Sequence, residues 1–162
     1  MFLHANILHL DGSMIFLGVF GATVEDRLGR LVFLGFYLLG GLAALALQVL
    51  VAPASATPTL GASGAVAAVL GAYIVLYPRA KIRTLVVLVF RIAFIELPAW
   101  EVLAAWFIFD ATLGILGLST PLGGGAGIGY YAQWGGFAFG LLVGLALVGH
   151  QRTPARGRRQ SA

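Results

Sequence analysis

Gly61-Ala62-Ser63-Gly64 sets a hydroxyl between glycines at the mouth of an apolar helix, and the rest of the chain is best read outward from it. Two readings compete. In a membrane protein rich in Gly and Ala, a serine between small residues is ordinary helix-packing surface. A serine exposed at a helix mouth is also the arrangement a nucleophile needs, provided that a base lies beside it.

The composition settles the setting. Of 162 residues, 60% are apolar and 10% charged, against roughly 25% charged in a soluble domain. The chain belongs in a membrane, and its length fits one domain. With no cysteine, disulfide frameworks and Cys-ligated metal sites are excluded. The net charge of +4 comes from short basic clusters between apolar runs, a topology signal and not a nucleic-acid surface. Neither metal ligands nor a cofactor motif stand out, so no cofactor is expected.

Apolar runs at about 7–24, 31–52, 61–77, 98–118 and 128–149 read as five membrane spans of an all-α polytopic bundle. Glu25-Asp26-Arg27 closes the first, whose opening half carries His9, Asp11 and Ser13. The third is short, which suits a helix that begins inside the protein. Residues 82–97 are interrupted by Arg91 and Glu96 and read as an interfacial or re-entrant segment, with Pro98 at the joint to the next span.

Arg27 and Arg30, then Arg79, Lys81 and Arg83, then the tail 151–162 are basic, whereas loops 53–60 and 119–127 carry no charge. The positive-inside rule therefore puts the basic clusters and the C-terminus in the cytoplasm. The expected location is a multi-pass protein of a bacterial-type plasma membrane, with residues 1–150 as the transmembrane domain and a disordered basic tail. An outside N-terminus with nothing to export it predicts a further helix upstream of Met1.

On the last span Gly136, Gly140 and Gly144 recur every four residues, with Gln133 three residues before them on the same face. Ser63, Ala67 and Gly71 form a matching small-residue face on the helix that Ser63 opens. Packing of these two stripes would bring position 133 beside Ser63.

Four stretches in order, Met1-Phe2-Leu3-His4-Ala5-Asn6-Ile7-Leu8-His9, Val24-Glu25-Asp26-Arg27-Leu28-Gly29, Gly61-Ala62-Ser63-Gly64 and Tyr131-Ala132-Gln133-Trp134-Gly135-Gly136-Phe137, resemble the landmarks of rhomboid intramembrane serine proteases. The resemblance runs from that family's second core helix to its sixth. It implies a six-helix core, of which five spans are present, that opens outward and laterally to transmembrane helices of substrates. It implies Ser63 as nucleophile. The family's base, a histidine on the sixth helix, is replaced here by Gln133, and of the His-x-x-x-Asn pair that helps bind the oxyanion His9 remains while Ser13 stands for the asparagine.

These departures are chemical. A serine hydroxyl needs a neighbour that takes its proton at neutral pH and returns it to the leaving amine, and a glutamine amide does neither. Loss of the histidine costs about 10⁶ in turnover in subtilisin, and one lost oxyanion donor costs about 10² to 10³. His150 lies about 25 Å along the helix from position 133 and cannot substitute. His9 is the one histidine the resemblance puts in the same cavity; His4, Asp11, Glu101 and Asp110 have no clear catalytic role. Arg91 could pair with Glu96 or Glu101, or lie exposed at the interface.

Two functions of different classes follow. One is a pseudoprotease that binds transmembrane helices of client proteins within the bilayer, without nucleic acid. The other is a serine endopeptidase in which Ser63 works with His9 or another base. A third reading, a gene fragment without function, is separated from these by the genomic sequence upstream of Met1.

Overall fold

A computed structural model describes residues 7–51, 53, 61–88, 91–115 and 129–151. The elements are α1 (Ile7–Phe16), a π-helical turn (Leu17–Gly21), α2 (Ala22–Leu28), α3 (Arg30–Val51), α4 (Ser63–Leu76), strands β1 (Lys81–Leu88) and β2 (Arg91–Pro98), α5 (Ala99–Ile115) and α6 (Gly129–Gln151). His4, the loops around 57 and 123, and most of the basic tail lie outside the described residues, as do the side chains of His9, Arg91 and Asp110.

α4 is the axis. Every residue from Gly64 to Tyr73 is buried, the all-round burial that marks a core helix rather than an amphipathic one. Its 14 residues reach about 21 Å, less than the roughly 30 Å of a hydrocarbon core. The flanking helices are longer and apolar on the outside: among the described residues Arg30–Val51 and Tyr131–His150 are long and apolar enough to cross a membrane, while Ser63–Leu76 and Ala99–Phe109 are shorter apolar helices. Leu31, Leu34, Leu38, Leu42, Leu45 and Val49 run exposed along α3, a stripe that lipid, not water, accommodates.

The glycines fix how the three central helices meet. A Cβ on Gly136 would collide with the carbonyl of Gly64, one on Gly140 with the carbonyl of Ala68, and one on Gly144 would meet Val75 and Ala72. α4 and α6 are therefore parallel and touch backbone to backbone. The seam on α4 runs along Gly64, Ala68 and Ala72 with Gly71 against Phe137 and Leu141, one residue round from the face that begins at Ser63 and passes through Ala67. α3 runs antiparallel to both: Ala44 meets Gly64, Gly40 meets Ala68, and Gly135 packs on Ala43, Ala44 and Leu47.

Two glycines turn the chain. Gly29, at φ 80°, ends α2 with its N–H donated to the Glu25 carbonyl at 2.7 Å and releases the chain into α3. Gly61, at φ 107°, occupies backbone space that a side chain would strain, and from it the chain enters α4. Before α2 the π-helical turn widens the first helix and carries Phe20 into the core, edge-on to Tyr73 at 4.9 Å. Tyr77 then ties the end of α4 back, its hydroxyl donating to the Thr23 carbonyl at 3.2 Å.

Among the described residues the strands β1 and β2, which form a β-hairpin, are the one departure from helix in an otherwise all-α membrane bundle. β1 and β2 pair antiparallel from Lys81 opposite Pro98 to Leu88 opposite Arg91. Ile82, Thr84, Val86, Val87, Ile92 and Ile95 supply the β-branched residues that favour a pleated strand. In this register Arg83 stands opposite Glu96.

Candidate functional site

Ser63 is the first residue of α4 and is half-buried. The first intrahelical bond runs from the Val66 N–H to the Ala62 carbonyl at 2.9 Å. The N–H groups of Ser63, Gly64 and Ala65 consequently have no partner within their helix, and the positive end of the helix dipole lies at the serine. An oxyanion formed beside Ser63 would meet favourable charge there.

The α4–α6 seam brings the next residue in. A Cβ on Gly64 would stand 3.4 Å from the Ala132 carbonyl oxygen, so the peptide joining Ala132 to Gln133 lies against the first turn of α4. Gln133 is half-buried at this end of α6. The side chain that follows this contact in sequence is thus an amide, able to donate and accept hydrogen bonds but not to store a proton at neutral pH.

α1 supplies a third wall and packs against α4. Ser13 is its inward residue, 7% exposed, between Gly12, which is half-buried, and the exposed Met14. His9 is on α1, one turn before Ser13, and so on the same face of that helix. Gly136, Gly140 and Gly71 take no part in chemistry; they are the close-contact points that set α6 on α4. His150 sits at the opposite end of α6 from Gln133, and Glu101 is half-buried in the first turn of α5.

One polar residue went unremarked in the sequence. Gln48 is 4% exposed on α3, with neither amide atom partnered among the described residues. It lies one turn from Ala44, which touches Gly64, and so borders the same end of the bundle. The signal was present: Gln48 interrupts an apolar span from Leu31 to Val51 that has no other amide or charge, and an isolated polar group in a span needs a reason. Trp134, next to Gln133, likewise buries an indole N–H without a partner among the described residues, while its ring meets Tyr131 edge-on at 5.5 Å.

With this geometry in view, the comparisons are consistent with one another. A rhomboid-domain family model matches residues 1–150. The chain is 33% identical over 147 residues to the yeast protein named Rhomboid protein 1, mitochondrial (Saccharomyces cerevisiae), covering 88% of this chain and 39% of that one. It is 33% identical over 115 residues to Presenilin-associated rhomboid-like protein A, mitochondrial, of Danio rerio, covering 70% of this chain and 30% of that one. The chain therefore spans well under half the length of these relatives. No solved structure matches it. A family model covering residues 1–150 and two relatives 33% identical to it identify the chain as a member of the rhomboid family of membrane proteins.

Proposed function

We propose that this chain is a catalytically silent rhomboid that binds transmembrane helices of other membrane proteins without cutting them. One observation supports the reading: the α4–α6 contact near the mouth of α4 is made by Ala132, and the residue after it is Gln133, not a histidine. An amide there keeps a hydrogen-bonding surface next to Ser63 but leaves the hydroxyl without a base. Ser13 is shorter than the asparagine for which it stands and reaches less far toward an oxyanion. Client helices would reach the site from the bilayer, where the lightly packed α5 offers the easiest displacement.

A second reading keeps the serine active. It draws on His9, which shares a face of α1 with the buried Ser13 and is the remaining histidine on this side of the bundle among the described residues. In that case Ser63 would be the nucleophile of an endopeptidase and His9 its base.

Nucleophilicity separates the two without a known substrate. An activity-based fluorophosphonate probe should label the chain no more than it labels Ser63→Ala. Gln133→His should restore labelling in part, and Gln133→His combined with Ser13→Asn should exceed either alone. Strong labelling of the unmodified chain, abolished by both Ser63→Ala and His9→Ala, would overturn the silent reading and establish the second.

We further infer the orientation from where the cations gather. With α4 parallel to α6 and α3 antiparallel, the seam register sets Leu76 level with Val148 and Val32. Arg30, Arg79, Lys81 and the start of the basic tail then share one end of the bundle, which belongs on the cytoplasm-equivalent side. The names of both relatives are mitochondrial, and the bacterial-type plasma membrane expected from the sequence finds no support among them.

A further inference from the structure

We propose that the β1–β2 hairpin is a lipid-docking element that lies along the headgroup layer of an anionic membrane leaflet, at the cationic end of the bundle. The hairpin leaves the end of α4 and returns at the start of α5, the Ala99 N–H donating to the Ala80 carbonyl at 2.7 Å. Among the described residues it touches no helix other than α5 beyond its base, where Ile82 packs on the core. Phe94 is 64% exposed and Ile95 40%. From Leu85 to Ile95 the sequence holds a single charge, Arg91.

Such an element has no comfortable place in water or in hydrocarbon. In water its exposed apolar residues and its two open edges would invite aggregation. Deep in hydrocarbon those edges would leave backbone N–H and C=O groups unsatisfied. The interface resolves both demands: headgroups and their water bond the edges, and the apolar side chains dip among the acyl chains.

The flanking residues point to the same depth and specify the lipid. Arg79, Lys81 and Arg83 are exposed at the base of the hairpin, opposed there by Glu96. The Arg83 guanidinium lies 5.3 Å from the centre of the Phe94 ring, so cation and apolar surface are presented together. Trp100, 52% exposed, follows on α5, and Tyr77 is half-buried just before the turn; indole and phenol rings favour the headgroup level. Three cations against one anion match phosphatidylglycerol, phosphatidylserine or cardiolipin headgroups better than zwitterionic ones.

The absence of native cysteine makes the test direct. The full chain carrying Ile95→Cys is labelled with an environment-sensitive fluorophore and placed in nanodiscs of phosphatidylcholine, with and without phosphatidylglycerol. Quenchers are carried either near the headgroup or at the acyl terminus. Expected are a blue-shifted emission, stronger quenching from the shallow position than the deep one, and a further gain in shallow quenching with phosphatidylglycerol. That gain should be lost in Arg79→Gln with Lys81→Gln and Arg83→Gln, which alters exposed side chains alone and leaves the glycine seam intact.

Unshifted, unquenched emission would mean a hairpin in water and overturn the proposal. So would strongest quenching from the acyl terminus, which would mean insertion across the core. A blue shift without lipid quenching, seen only in discs that hold two copies, would assign the surface to a second copy of this chain and overturn it equally. Quenching that ignores both phosphatidylglycerol and the triple variant would remove the anionic lipid from the proposal.

Discussion

α6 and α5 both flank the central helix, and they are held in opposite ways. α6 meets α4 backbone to backbone, at Gly136, Gly140 and Gly144, where no side chain fits. α5 leans on rings: Trp106 lies 5.9 Å from Phe16 of α1, and Phe107 lies 5.0 Å from Phe137 and 6.3 Å from Trp134 of α6. Leu103 and Ala99 are its fully buried points, while Trp100, Ile108 and Phe109 face outward. Even the Thr112 hydroxyl is satisfied within α5, donating to the Ile108 carbonyl at 2.8 Å. A backbone seam has one register and tolerates no adjustment, whereas ring contacts can slide or part. Ser63 and Gln133 adjoin the backbone seam, at the Gly64–Ala132 contact, and α5 is the side of the bundle held by ring contacts.

The sharpest way to break this contrast is to put a side chain into the seam. Gly140→Leu should destabilise the fold by about 3 kcal/mol or more, because the new Cβ would collide with the Ala68 carbonyl and neither backbone can yield. Leu142→Ala, at a position 67% exposed, should change stability by less than about 0.5 kcal/mol. Unfolding midpoints in detergent compare the two, and equal midpoints would mean that the seam is not tight.

A smaller effect is expected where rings make the contact. Trp106→Ala removes one side of the α1–α5 contact and should cost about 1 to 2 kcal/mol, less than a fully buried aromatic because the ring is half-buried. Hydrogen exchange should rise in α5 and leave the amides of α4 protected. A loss of protection in both helices together would show that α5 and the seam are one cooperative unit, and the contrast would fall.

The smallest effect belongs to the surface. Glu25 lies 3.7 Å from Arg30 in an exposed pair, and Glu25→Gln should shift stability by no more than about 0.5 kcal/mol, within the range of exposed ion pairs. The neighbouring turn should survive through the Gly29 to Glu25 backbone bond, which the substitution leaves alone. A larger loss would mean that charge, not the glycine, shapes the turn between α2 and α3.

The sequence alone was sufficient for those properties that are local and additive. Apolar runs of bilayer length, basic clusters at alternate loops and glycines at four-residue spacing each follow from one segment at a time, and together they gave a helical membrane bundle; the roles of Ser63, Gln133, His9 and Ser13 came instead from the resemblance of four short motifs to the rhomboid family. Tertiary structure alone decided the rest. Which face of α4 meets α6 depends on how two helices cross, and the contact runs along Gly64, Ala68, Gly71 and Ala72, so that of the small-residue stripe Ser63, Ala67 and Gly71 only Gly71 lies in it, because in a helix apolar all round periodicity marks no preferred side. The hairpin was hidden for a related reason: a continuous apolar run fits a strand or a membrane-bound segment equally well until pairing partners are known. Gln48 acquires meaning only from burial beside the same end of the bundle as Ser63, since a lone amide in a span has a role only through the neighbours that surround it.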